Sequence, residues 1–196
     1  MKFVHFITGL GKGGAEKNLL SFTKVFKNQQ HLVISLTKES YYSCSFPANV
    51  SIIHLDGSIC KSLAFFFKLG WLVKKDDEIL AWLYHGQFAA VLFSCFTLRF
   101  NYTNMIRSSL YGFDDFTFLR KLILKLICFG SYLVKANYYN SFTSRDQHEA
   151  IGFRKNSVII PNIKLDEPRI GLNVQNDFNL WKAQYKCIFA FVGRDH

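Results

Sequence analysis

Hydrophobic positions along this chain follow two alternating periods. Short runs rich in Val, Ile, Phe and Tyr occupy residues 2–8, 31–36, 50–55, 78–84, 102–107, 135–142, 157–161 and 186–192. Their length and composition predict strands. Between most of them, apolar positions recur at helical spacing, over residues 15–27, 58–75, 87–98, 116–133 and 144–153. Alternating strands and helices predict an α/β fold: a doubly wound parallel sheet, Rossmann-like, with right-handed crossovers and both faces covered. Ligands in such a sheet sit at the carboxyl ends of the strands.

The pattern changes only at residues 162–184, which are polar and carry Pro168, Gly171 and several Asn and Asp. The expected organisation is a first domain over 1–162, a linker with a short helix over 163–185, and over 186–196 the first strand of a second domain. Gly193-Arg194 follows that strand, and the sequence ends at His196, as if cut at the start of the second domain.

A length of 196 residues is enough for one well-buried core. Hydrophobic residues make up 49% and aromatics 17%, which excludes a disordered chain. Lys and Arg outnumber Asp and Glu by 24 to 14, a net charge of +10 that favours anionic partners. The five cysteines, Cys44, Cys60, Cys95, Cys128 and Cys187, never form C-x-x-C. Their scatter argues against a zinc site or disulfide framework and suits a reducing cytoplasm. Residues 79–98 lack formal charge over a bilayer-spanning length. The tetrad Tyr84-His85-Gly86-Gln87 nevertheless divides them into a strand-like and a helix-like part.

The first strand runs into Gly9-Leu10-Gly11-Lys12-Gly13-Gly14, with Glu16 just inside the helix that follows. Glycines let a backbone pass close to a phosphate, a helix N-terminus presents free N–H groups to it, and Lys12 adds a cation. Gly9, Gly11 and Gly14 satisfy G-x-G-x-x-G, the dinucleotide fingerprint, which makes an NAD(P)-dependent Rossmann oxidoreductase one reading. That reading needs an acidic residue after the second strand, where Leu36-Thr37-Lys38-Glu39 offers only Glu39. The P-loop pattern is missing.

A second reading rests on five blocks in one order. FVHFITGLGKGGAEKNLLSF, AWLYHGQ, MIRSSL, YNSFTSRDQHEAIGFRKNSVIIPN and FVGRDH together resemble the N-terminal half of a family 4 glycosyltransferase of the GT-B fold. That family places two doubly wound domains across a cleft, the first mainly holding the acceptor and the second the nucleotide-sugar donor. The resemblance implies sugar transfer from a nucleotide-diphosphate donor to a glycan or lipid-linked acceptor in surface polysaccharide synthesis. It also implies retention of anomeric configuration, no metal, and no cofactor beyond the nucleotide sugar as co-substrate.

Residue by residue, the resemblance places His85 at the reacting sugar. Gly13, Gly14, Lys12 and Arg194 fall near the donor phosphates, and Glu16, Arg107, Asn140 and Asn162 at acceptor or substrate contacts. Two positions depart from the family pattern: Ser108 follows Ile-Arg where His is usual, and Ile163-Lys164-Leu165-Asp166 replaces Gly-hydrophobic-Asp. From position alone, His85 falls in a carboxyl-end loop, where it can meet a sugar hydroxyl or developing charge. Arg107 has two open roles, binding a substrate phosphate or pairing with Asp114 or Asp115.

Two helices raise the question of a membrane. Lys61, Lys68 and Lys75 recur every seven residues among Phe65, Phe66, Phe67 and Trp71, and Arg120, Lys121 and Lys125 lie among Phe118, Leu122, Leu126 and Phe129. Such helices suit either a core position or peripheral docking on the anionic cytoplasmic face of a membrane. Nucleic acid is not an expected partner, because no recognition helix, RNP-like strand or zinc spacing is present. A non-catalytic remnant, or a membrane-associated partner subunit working with a separate C-terminal half, stands as a third reading.

Overall fold

The computed structural model describes residues 1–55, 59–110 and 116–162, with only the backbone for 59–64. The expected linker, the strand at 186–192, Arg194, Asp114 and Asp115 lie outside the described residues.

The elements run β1 (Lys2–Ile7), α1 (Gly14–Val25), β2 (Gln30–Ser35), a short 3-10 turn, β3 (Val50–His54), α2 (Ile59–Leu72), β4 (Glu78–Trp82), α3 (Leu83–Thr97), β5 (Tyr102–Ile106), α4 (Phe118–Gly130), β6 (Ala136–Tyr139), α5 (Phe142–Ala150) and β7 (Ser157–Ile159). The seven strands form one sheet in the order β3-β2-β1-β4-β5-β6-β7, every pair parallel. Chain direction across the sheet reverses between β1 and β4, so the crevice for a ligand opens beyond the carboxyl ends of those two strands.

Alternation along each strand sorts side chains to two faces. Val4, Phe6, Leu32, Ile34, Ile79 and Ala81 pack against Phe66 and Leu69 of α2 and Ala90 and Phe93 of α3. Ile106 and Tyr139 continue that layer against Ile127 of α4 and Phe153 beyond α5. The opposite face carries Ile7, Val33, Leu80, Trp82 and Met105, with Leu19 of α1 above them. Right-handed crossovers account for the asymmetry: the step from β1 to β2 runs one way, while those from β3 onward to β7 run the other. Both faces were expected to be covered. Among the described residues α1 is the one helix on the second face, joined by Leu10 and Phe46 from loops, and beside it Phe3, Phe22, Trp82, Met105 and Tyr138 line a hollow of about 530 Å3.

Two buried polar networks hold the sheet. In the first, His31 Nε2 lies 3.0 Å from the Phe26 carbonyl and must donate to it, leaving Nδ1 to accept from His5 Nε2 at 3.0 Å. His5 Nδ1 then accepts from the Trp82 indole at 3.2 Å. Burial lowers the pKa of both histidines, so the chain runs through neutral rings with every nitrogen paired. In the second, Asn104 Nδ2 donates to Asn137 Oδ1 at 2.9 Å and Asn137 Nδ2 to Asn156 Oδ1 at 2.7 Å, fixing β5 and β6 to the turn before β7.

Candidate functional site

The site is assembled where β1 and β4 diverge. After β1, the glycine loop is pinned by hydrogen bonds from Leu10 N to the Glu39 carbonyl (3.2 Å) and from Tyr42 N to the Leu10 carbonyl (3.2 Å). Its glycines are not equivalent. A Cβ on Gly9 would stand 2.5 Å from Thr37 Oγ1, and one on Gly11 2.5 Å from Glu39 Oε2, so both exist to let the segment after β2 approach. A Cβ on Gly13 would overlap the Glu16 carboxylate, whereas one on Gly14 meets nothing within 4 Å.

Glu16 therefore folds back over the N-cap of α1, the position from which a carboxylate satisfies free N–H groups at a helix start. Gly13 and Gly14, paired in the sequence expectation, therefore differ: the space beside Gly14 is open, while that beside Gly13 is filled by Glu16. Lys12 stacks over the Tyr41 ring at 4.6 Å, which holds its ammonium at the rim of the loop.

His85 departs from expectation in its secondary structure. The tetrad at 84–87 is not a loop, because β4 ends at Trp82 and α3 begins at once with Leu83. A single left-handed residue, Leu83 at φ 58°, makes the reversal that a loop was expected to make. A branched side chain in that conformation costs about 1–2 kcal/mol, and such strain recurs where a site fixes a neighbouring group. His85 stands exposed in the first turn of α3, at the carboxyl edge of the sheet as anticipated.

Its neighbours on the same turn are constrained. Gly86 lies against the end of β1, where a Cβ would be 2.5 Å from the Phe6 carbonyl oxygen. Gln87 is fully buried, and neither amide atom finds a partner among the described residues. Tyr84 accepts or donates across 2.8 Å to His148 Nε2. Since His148 Nδ1 lies 2.6 Å from the Ser144 carbonyl and must donate there, Nε2 is the acceptor and Tyr84 the donor. Burial lowers the His148 pKa to about 4 and raises that of Tyr84 to about 12, so both are neutral near pH 7.

At the end of β5, half-buried Arg107 donates from Nη1 to the Ile160 carbonyl at 2.5 Å and lies over the Trp82 ring at 5.9 Å. Its Nε is buried without a partner. Of its two open roles, ion pairing with Asp114 or Asp115 lies outside the described residues. What the described part shows is a cation tying β5 to the strand-end after β7. Asn140, at the end of β6, is half-buried with an unpartnered Oδ1, and Asn162 is exposed on the same edge.

Thr8, Gln87, Arg107 and Asn140 thus each leave a buried polar atom unpaired, and all four lie at carboxyl ends of strands or in the α3 turn there. Unpaired buried groups are costly and ordinarily mark water or ligand. Gln87 was not singled out from the sequence; its one signal is an amide standing among apolar helix residues. No group of three His, Cys, Asp or Glu side chains is placed to hold a metal ion among the described residues.

No family profile and no curated protein sequence matches the chain. A solved structure does: HepE of Anabaena, in complex with UDP-glucose, superposes with a TM-score of 0.67 at 16% identity over 94% of this chain and 49% of HepE. The chain spans about half the length of that protein. At this identity the likeness establishes architecture alone, the α/β, Rossmann-like fold of a GT-B protein.

Proposed function

We propose that this chain is the acceptor-side half of a GT-B glycosyltransferase, passing a sugar from a nucleotide-diphosphate donor to a glycan or lipid-linked acceptor. The observation that carries the reading is the junction of β1 and β4. There the glycine loop, with Gly14 open, and the exposed His85 stand at the carboxyl ends of two adjacent strands, and Gly86 seats the first turn of α3 directly on β1. The fold shared with a protein solved with UDP-glucose supports the same reading.

In the proposed reaction the bond from the anomeric carbon to the diphosphate breaks as the acceptor oxygen bonds to that carbon, with retention of configuration and without a metal. Charge develops in opposite senses, positive at the sugar and negative at the departing phosphate. The exposed His85 ring would hydrogen-bond the sugar, while the N-terminus of α1 and Lys12 would face the phosphate. Arg194, contributed from beyond the described residues, belongs to the same proposal. The membrane-peripheral, cytoplasmic setting and surface polysaccharide synthesis are likewise proposed rather than read from the fold.

The test is a titration of the chain, supplied with a donor-side half, with UDP-glucose and, separately, with NADH, followed by backbone amide NMR. UDP-glucose should shift amides of residues 11–16 and 84–87. Saturable NADH binding with enhanced fluorescence, and no response to UDP-glucose, would replace the transferase with the oxidoreductase.

A further inference from the structure

The helix layer over the β4–β6 side of the sheet is apolar inside, as it must be, and apolar outside as well. On α4, Leu124 and Ile127 face the core, yet Phe118 is 83% and Phe129 70% exposed, with Leu119, Leu122 and Leu126 also in solvent. On α2, Phe66 and Leu69 are buried while Phe67 and Trp71, the latter 92% exposed, point away. α3 packs against both helices and adds exposed Phe96, whose ring lies 5.4 Å from Phe67. Exposed apolar area on this scale marks an interaction surface.

Charge selects the partner. Neither α2, α3 nor α4 contains an Asp or Glu. Between the exposed aromatics stand Lys68, Arg120, Lys121 and Lys125. A hollow of about 600 Å3 between the ends of α2 and α3 is lined by Trp71, Phe67 and Phe96 together with Lys74, Lys75 and Arg99. Among the described residues, the carboxylates that follow α2 are largely engaged: buried Asp77 accepts from the Lys2 and Lys74 amides, and Glu78 pairs with Lys135 at 2.7 Å, leaving exposed Asp76 beside Lys75.

We infer that the outer face of α2, α3 and α4 docks on an anionic lipid surface. Aromatic side chains enter the headgroup boundary and the cations meet lipid phosphates, each adding to affinity. A second copy of the chain would bring the same cations against themselves, and no described helix is long and apolar enough to cross a membrane. Helices antiparallel to the strands put the start of α4 at the carboxyl edge of the sheet. Docking by this face therefore lays the sheet along the bilayer with its crevice opening sideways at the surface. For a lipid-linked acceptor, the part of this inference that rests on the proposed transfer reaction, that is the orientation required.

The test is co-flotation of the chain with phosphatidylcholine vesicles, with and without phosphatidylglycerol. Binding should require phosphatidylglycerol and fall in high salt. Replacing Arg120, Lys121 and Lys125 together with Ala should weaken partitioning by about a hundredfold, from about fivefold per cation. Trp71→Ser with Phe129→Ser should weaken it comparably, with the thermal transition unchanged because these two side chains are largely in solvent. Equal binding to neutral vesicles, or no binding of the unaltered chain, overturns the inference. So does a dimer in light scattering that Phe129→Ser dissociates, which would make the face an interface between copies. UDP-glucose titration without vesicles reads nucleotide-sugar binding separately, so either conclusion can fail alone.

Discussion

The carbonyl oxygen of Phe6 occupies the space beside Gly86, 2.5 Å from where a Cβ would stand. One strand's backbone thereby sets the position of the helix turn that bears His85. Gly86→Ala must push α3 away from β1, since the obstructing atom is main chain and has no rotamer to yield. Overpacking of this kind costs about 1–3 kcal/mol. Urea unfolding should report that loss, and amide shifts should concentrate in residues 84–87.

His148 makes the fold sensitive to acid. Buried and neutral, it titrates at about 4 in the folded state against 6.5 when free. The unfolded chain therefore takes up the proton first as pH falls. Stability from this group is complete above 6.5 and drains away between 6.5 and about 4, by up to about 3 kcal/mol. His5 and His31, also lowered by burial, add loss of the same sign. Unfolding midpoints measured across that window should fall steeply, and His148→Gln should flatten the slope.

Arg107 braces the far end of the sheet. Arg107→Met keeps the apolar stem but leaves the Ile160 carbonyl without its cationic donor, a loss of about 1.5–3 kcal/mol. Lys cannot restore it, lacking the planar group that lies over Trp82. Hydrogen exchange should show the effect locally, in reduced protection of the Ile160 amide, which donates to the Tyr139 carbonyl at 2.8 Å.

Leu98 ends α3 in the left-handed conformation at φ 54° with 80% of its surface in solvent. Asn tolerates that conformation better and little buried area is lost, so Leu98→Asn should raise stability by about 0.5–1 kcal/mol. A thermal melt decides it.

His85 is exposed, so His85→Ala should leave folding stability within about 0.5 kcal/mol. In an assay that supplies the donor-side half, the same change should lower kcat by about a hundredfold if the ring meets charge at the reacting centre. Unchanged turnover would remove His85 from the proposed chemistry.

Much of the layout was legible because strands and helices write different periods into the sequence. The described strands begin and end within a few residues of the apolar runs that announced them, and the glycine loop stands where the first run stops. Where the reading missed, a local signal was overridden by packing. Tyr84-His85-Gly86-Gln87 looked like a break in the chain because it is polar amid apolar residues. It is instead the first turn of a helix, made possible by left-handed Leu83 and by the room that only a glycine leaves beside Phe6. That His5 joins His31 and Trp82 follows from register across three strands, which no local pattern records.

By itself the sequence determined the order of elements, the parallel sheet they imply, the glycine loop after the first strand and the excess of positive charge. Each of these depends on neighbours along the chain. Tertiary structure decided which glycine stays open, that Glu16 covers another, and that Arg107 reaches Ile160. It also decided which side of each amphipathic helix faces out. Residues three and four apart on α4 are apolar on two sides, and a helix apolar nearly all round has no preferred core face until the sheet chooses one. Packing buried Leu124 and Ile127 and left Phe118 and Phe129 in solvent, because a helix can turn only one side toward the sheet it packs on.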